Sequence, residues 1–169
     1  MVAYADADHG GDTTDCKSTS AYLIYVGGTL VQWKSKKQGL VAQSTMEAEL
    51  IATAEAWKQV QWMEDALREL KHETERPTLR IENDNMSTVL VLGSGNFSSS
   101  SRHLRLRFHG LVEAIASGQL EIGHIGTANM RADGLTKPLE RVKLEEMKKV
   151  MGLVKRGSVV RNVGGPPDT

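Results

Sequence analysis

Residues 44–70 place Leu50, Ala54, Trp57 and Gln61 at helical spacing, and Ile51, Val60, Ala66 and Leu67 widen the apolar stripe. A helix this long with one broad apolar face needs other elements to cover it, so it sets what the rest of the chain must supply. The preceding segment supplies a sheet. Residues 1–9 read as a short strand with Val2, Tyr4 and two acidic residues, closed by the Gly10-Gly11 break. Residues 18–26 and 29–35 alternate around Gly27-Gly28, with Tyr22, Ile24 and Val26 before the turn and Leu30, Gln32 and Lys34 after it, which predicts a hairpin. Three antiparallel strands follow from one continuous segment.

Beyond the helix, a charged connection containing Pro77 leads into an alternating run, residues 78–84, and then a helical stretch, Ser87 to Leu92, so a βαβ-type crossing onto the hairpin sheet is expected. The Ser/Gly/Asn cluster from Gly93 to Ser101 reads as a loop. The segment from Arg102 to His109 fits a strand by alternation and a helix through Leu104, Phe108, Leu111, Val112 and Ile115; the helical period continues past His109 and decides for helix. Gly118 ends it, a strand covers about residues 119–126, and a last helical region from Ala132 is interrupted by Pro138 and resumes through Met151. The order describes a mixed sheet with helices packed on it over residues 1–154, and the Gly- and Pro-rich residues 155–169 read as a disordered tail.

A chain of 169 residues with 40% hydrophobic content is the size of one domain. Lys+Arg and Asp+Glu both number 21, so nucleic-acid binding would have to come from local basic patches. Cys16 is the single cysteine, which excludes an intramolecular disulfide and gives no zinc spacing. The N-terminal run holds no apolar stretch long enough for a signal peptide or membrane span, and an intracellular, cytoplasmic protein without a membrane partner is the expectation.

Asp6, Glu49, Asp84 and Asp133 fall where this element order brings strand ends and a helix start together. Mg²⁺, or Mn²⁺ in its place, takes oxygen ligands, and two such ions roughly 4 Å apart can activate a water and stabilise the departing oxygen of a phosphodiester. Each carboxylate also has an ordinary reading. Asp6 and Asp8 are two apart on a strand and suit a solvated edge or a turn; Asp84 and Asp133 suit helix caps; Glu49 borders an apolar face, where an ion pair would satisfy it. For Glu47 the capping role wins, because Ser44-Thr45-Met46-Glu47 has the spacing of a capping box.

The words around these residues carry more than their spacing. Tyr4-Ala5-Asp6-Ala7-Asp8 with Gly11-Asp12, Lys17-Ser18-Thr19-Ser20, Trp33-Lys34-Ser35-Lys36-Lys37-Gln38 and Ser44-Thr45-Met46-Glu47-Ala48-Glu49 resemble, in order, Y-x-D-A-D-x-x-G-D, K-S-T-S-G, W-x-S-K-K-Q and S-S-T-E-A-E. Asp84-Asn85-Met86-Ser87, Arg102-His103-Leu104 with Arg107-Phe108-His109, Ala132-Asp133-Gly134-Leu135-Thr136-Lys137-Pro138-Leu139 and Met151-Gly152-Leu153 continue the series. These words resemble the ribonuclease H domain of copia-type LTR retrotransposon Pol polyproteins over about Tyr4 to Leu153. The resemblance implies an α/β, ribonuclease H-like fold: a five-stranded mixed sheet flanked by helices. It also implies a catalytic, metal-binding quartet of Asp6, Glu49, Asp84 and Asp133. The chain departs from the family pattern at His9, at Ala21 and near Ile125-Gly126, none of them a quartet position.

The implied activity is two-metal hydrolysis of the RNA strand of an RNA/DNA hybrid, with two Mg²⁺ ions as cofactors and the reverse transcriptase module of the parent polyprotein as a partner. Hybrids are read by shape, phosphates and 2′-OH groups. Ser44 and Asn85 are the candidate sugar contacts, and Arg105 and Arg107, with Arg102, Lys34, Lys36 and Lys37, the candidate phosphate contacts. Capping and a solvated face are their ordinary readings. His124 falls in the predicted last strand and reads as a surface histidine. The rival function is a catalytically idle remnant that binds nucleic acid or protein.

Overall fold

A computed structural model describes residues 1–71, 79–97 and 102–154. β1 (Val2–Ala7), β2 (Thr19–Val26) and β3 (Thr29–Lys37) are followed by α1 (Thr45–Lys71), β4 (Leu79–Asn83), α2 (Met86–Ser94), α3 (Arg102–Ala116), β5 (Leu120–His124) and α4 (Arg141–Val150). Two 3₁₀ turns, Thr127–Asn129 and Asp133–Leu135, lie between β5 and α4. The sheet order is β3-β2-β1-β4-β5. The first three strands pair antiparallel, and β4 and β5 join parallel to β1 and to each other. Gly27 and Gly28 turn the hairpin with φ of 56° and 80°, a left-handed pair that a side chain would strain.

This topology points one end of the sheet at a common place. β1, β4 and β5 are parallel, so Ala7, Asn83 and His124 finish at the same edge, while α1 and α2 start there. The helix α1 is more enclosed than one apolar stripe requires: every residue from Glu47 to Ala54 is buried. Its one side meets Ala3, Ala5, Tyr22 and Ile24 of the sheet, and its other side meets α3, where Ala48, Ile51 and Ala52 pack with Leu104. Small alanines let the neighbouring elements approach from both sides. The helix reading of residues 102–116 holds, with Leu104, Phe108, Leu111 and Ala114 buried on one face.

The opposite face of the sheet is covered by the chain after β5. Met130 and Ala132 pack on Ala21, and the Arg131 guanidinium lies 5.0 Å from the Tyr4 ring centroid and 4.9 Å from that of Tyr25. The Ser35 hydroxyl donates to the Leu135 carbonyl at 2.6 Å, tying the second 3₁₀ turn to β3. The last helical region does not run from Ala132; a short 3₁₀ turn precedes Pro138 and α4 begins at Arg141, since proline removes a helix donor and restricts the residue before it. The connection through Pro77 and the tail 155–169 lie outside the described residues. Among the described residues, no helix is long and apolar enough to cross a membrane.

Candidate functional site

Asp6 is the penultimate residue of β1, on the face it shares with Tyr4, and its pleat directs it toward the layer that carries Asp133. Glu49 arrives from the opposite layer, on the first turns of α1, and Asp84 follows the last residue of β4. Carboxylate oxygens of Asp6, Glu49 and Asp84 lie within 4.8 Å of one another. Asp6 and Glu49 are buried and Asp84 half-buried. Asp133 stands outside this trio but near enough for its charge to act on Asp6.

Crowding acidic groups in a dry place resists their ionisation. Burial, and then the charges of Asp84 and Asp133, push the Asp6 carboxyl up to about 6, against the opposing hydrogen bond from Thr136. Burial and the Asp6 charge push Glu49 up to about 8, against the Asn83 amide and the Ala7 N–H, which favour the carboxylate. Without a cation Glu49 therefore retains its proton at neutral pH, and Asp6 holds one to about pH 6. Three hard oxygen donors from three separate elements, of which Asp6 and Glu49 are disfavoured as anions until a positive charge joins them, fit a divalent cation such as Mg²⁺ or Mn²⁺.

The neighbours of the trio are less visible in the sequence. Asn83 is fully buried. Its Nδ2 donates to Glu49 Oε2 at 2.9 Å, to the Ala5 carbonyl at 3.2 Å and toward Thr53 Oγ1 at 3.3 Å, while its Oδ1 accepts the Asn85 N–H at 2.8 Å. One amide thus joins β1, α1 and the loop carrying Asp84. The sequence signal was present: Leu79, Ile81 and Asn83 share the buried phase of β4, and a polar residue in that phase needs partners. Thr136 lies inside its motif with no local sign of a partner, yet its hydroxyl lies 2.7 Å from Asp6 Oδ2 and 2.9 Å from the Asp133 carbonyl.

The other candidate residues divide. Ser44 Oγ accepts the Glu47 N–H at 3.2 Å as the capping box predicts, but Glu47 Oε2 accepts the Gln43 N–H at 2.9 Å and not that of Ser44, so the reciprocal bond closes one residue earlier. Asn85, and not Asp84, caps α2, its side chain accepting the Thr88 N–H at 3.0 Å. Asp133 makes no side-chain cap; it is the first residue of its 3₁₀ turn and pairs with Lys137. Asp8 neither caps a turn nor joins the trio; its carboxylate accepts the Thr19 N–H and ties the end of β1 to the start of β2. Lys37 is ion-paired with Asp12 and Asp15 of the loop after β1, and Lys34 lies 3.8 Å from Glu55, which removes most of the basic patch on β3. Arg105 is exposed on α3, whereas Arg107 lines a groove of about 540 Å³ with Trp57, Lys58 and Gln119, running toward the far end of the sheet. His124 closes β5, exposed, with Nε2 3.2 Å from the Asp84 carbonyl.

The chain is 36% identical over 155 residues to the retrovirus-related Pol polyprotein from transposon RE2 of Arabidopsis thaliana, an alignment covering 92% of this chain and 11% of that protein. It is 34% identical over 154 residues to the corresponding polyprotein from transposon TNT 1-94 of Nicotiana tabacum, covering 90% of this chain and 11% of that one. It thus spans about a tenth of the length of these curated relatives. No family model matches it. Among solved structures it is similar to LC11-RNase H1 in complex with RNA/DNA hybrid, with a TM-score of 0.59, 16% identity and coverage of 85% of this chain and 98% of that one. The RNase H1 of the halophilic archaeon Halobacterium salinarum NRC-1 gives a TM-score of 0.56 at 18% identity, covering 79% and 92%. At such identities the structural likeness concerns the fold, and the five-stranded mixed sheet flanked by helices is the fold expected from the sequence words.

Proposed function

Because the chain belongs to the copia-type retrotransposon Pol family, as its segment with the ribonuclease H fold, we propose that it cleaves the RNA strand of RNA/DNA hybrids with divalent ions held by Asp6, Glu49, Asp84 and Asp133. The observation that carries this reading is the meeting of the Asp6, Glu49 and Asp84 carboxylates at one sheet edge. Two Mg²⁺ ions would supply the Lewis acidity and the activated water that phosphodiester hydrolysis needs.

The chain's own groups prepare that edge. Asp6 and Glu49 give up protons when a cation loads, so their raised pKa values make loading favour higher pH. Asn83, with the Ala7 N–H, orients Glu49, and Thr136 orients Asp6 through a contact to Oδ2 that leaves Oδ1 for an ion. Ser44 and Asn85 begin α1 and α2 at the same edge with their side-chain oxygens engaged as caps; the Ser44 hydroxyl proton and the Asn85 amide N–H groups are the donors we assign to sugar hydroxyls. Arg105 is assigned to phosphates beside the site and Arg107 to phosphates farther along the duplex. The near-neutral net charge gives the domain little general attraction for a polyanion, so we assign the grip on the hybrid to the reverse transcriptase module of a parent polyprotein.

The test is incubation of the purified chain with labelled RNA/DNA hybrid, double-stranded RNA and double-stranded DNA, with Mg²⁺, Mn²⁺ or chelator. Metal-dependent cleavage confined to the RNA of the hybrid is expected. Binding of the hybrid without cleavage under every metal condition would point to the idle-remnant reading instead.

A further inference from the structure

The Asp133 side of the site carries a cation of its own. The 3₁₀ turn Asp133–Leu135 is followed directly by Thr136 and Lys137, and the i,i+4 spacing returns the Lys137 ammonium to the Asp133 carboxylate, with which it forms an ion pair. In the same stride Thr136 reaches Asp6. Two consecutive residues therefore lay a hydroxyl on one carboxylate and an ammonium on the next. The Lys137 charge also reaches Asp6 and Asp84, more weakly than its paired Asp133. Its side chain remains 51% accessible, so it can leave without unfolding anything.

We propose that Lys137 is a tethered counter-cation that holds Asp133 until a second divalent ion displaces it, so that the two seats of the site load unequally. The proposal rests on the metal-binding reading above. Among the described residues, no lysine or arginine is ion-paired with Asp6, Glu49 or Asp84, so an ion entering among them meets no fixed positive charge. An ion entering at Asp133 must displace a tethered positive charge, which weakens that seat more than the first one. An ordinary surface ion pair would add a little stability and alter neither seat.

Calorimetric titration of Mn²⁺ into the full chain separates these cases, comparing the parent with Lys137→Met, which removes the charge, and Lys137→Arg, which keeps it. The parent should show a tighter and a weaker site. Lys137→Met should strengthen the weaker site roughly tenfold, the scale of one unit charge removed at ion-pair distance in a half-exposed setting, and strengthen the tighter site by a clearly smaller factor. Lys137→Arg should behave as the parent. Melting temperature is the second readout: Lys137→Met should melt below the parent in chelator and match it at saturating Mn²⁺, whereas a purely structural lysine would lower both. An unchanged weaker site in Lys137→Met, or equal changes in the Met and Arg variants, would overturn the proposal while leaving the metal reading intact. Absence of Mn²⁺ binding in all three proteins would remove the metal reading itself, and this proposal with it.

Discussion

Asp6, Glu49 and Asp84 stand on the sheet ends and the long helix, whereas Asp133 stands on a 3₁₀ turn, and the two settings fix a side chain by different means. The first is held by backbone ladders and an enclosed helix: β1 is paired on both sides, Glu47 to Ala54 are buried, and Asn83 joins three elements through one amide. The second is held by side-chain contacts, namely Arg131 on Tyr4 and Tyr25, the Ser35 hydroxyl on Leu135, and Thr136 on Asp6. Their electrostatics differ in the same sense. Asp6 and Glu49 resist ionisation, while Asp133 has a lysine beside it. A rigid, proton-holding half and a looser, internally neutralised half respond to different perturbations, and that difference can be broken experimentally.

The largest effect should come from Asp6→Asn, since Asp6 touches both halves. Loss of the carboxylate should reduce metal-dependent hybrid cleavage by on the order of 10³-fold or more, equivalent to several kcal/mol of metal-borne stabilisation. Circular dichroism and the melting temperature in chelator should stay close to those of the parent, because the change removes like-charge repulsion at a buried position. Cleavage at the parent rate in this variant would contradict the assignment.

Proton competition gives the next largest effect, and its direction follows from the raised pKa values. Asp6 and Glu49 bind protons more tightly folded, at about 6 and about 8, than at their ordinary values of 3.8 and 4.5. The metal-free fold is therefore favoured by these groups at low pH, and that contribution is lost as pH rises through the two folded values. Melting in chelator should fall between pH 5 and pH 9. Divalent-ion affinity should move the opposite way, rising by up to about tenfold per pH unit while one proton is released per ion. Calorimetry at pH 6, 7 and 8 checks the second statement, and an affinity independent of pH would show that the trio does not hold the ion.

How much of this was readable from residues alone follows the same division. The hairpin, α1 and the parallel return of β4 were legible because each rests on local periodicity and turn chemistry. The trio was legible because each carboxylate sits inside an ordered sequence word and at an element boundary. The supporting groups were not. Asn83 acquires its meaning from Glu49, which is 34 residues away, and Thr136 from Asp6, 130 residues away. The basic patch on β3 is smaller than its sequence suggests for the converse reason: Lys37 looks free along its strand until the loop bearing Asp12 and Asp15 folds back onto it.

Asn83→Ala probes the rigid half without removing a carboxylate. It removes the donor to Glu49 Oε2 and leaves the Asn85 N–H without its 2.8 Å acceptor. Loss of an outer-shell partner of this kind typically lowers metal affinity about 10–100-fold. The cost to stability should be roughly 1–3 kcal/mol, the range for a buried polar group left unsatisfied. Both numbers are separable by titration and denaturant unfolding. A variant that loses stability but keeps its metal affinity would confine Asn83 to a structural role.

Thr136→Val is the smallest perturbation and the one aimed at the looser half. The swap deletes the hydrogen bond to Asp6 Oδ2 while nearly preserving side-chain volume, and Thr136 is buried, so packing should change little. That hydrogen bond favours the Asp6 carboxylate, and without it Asp6 should hold its proton to higher pH. The expected result is an alkaline shift of the acid limb of the pH–rate profile with a modest loss of rate at pH 7, about tenfold or less, that is recovered at higher pH. Recovery matters more than the loss. If Thr136 merely braced the 3₁₀ turn, Asp133 would be misplaced at every pH, and raising the pH would recover nothing.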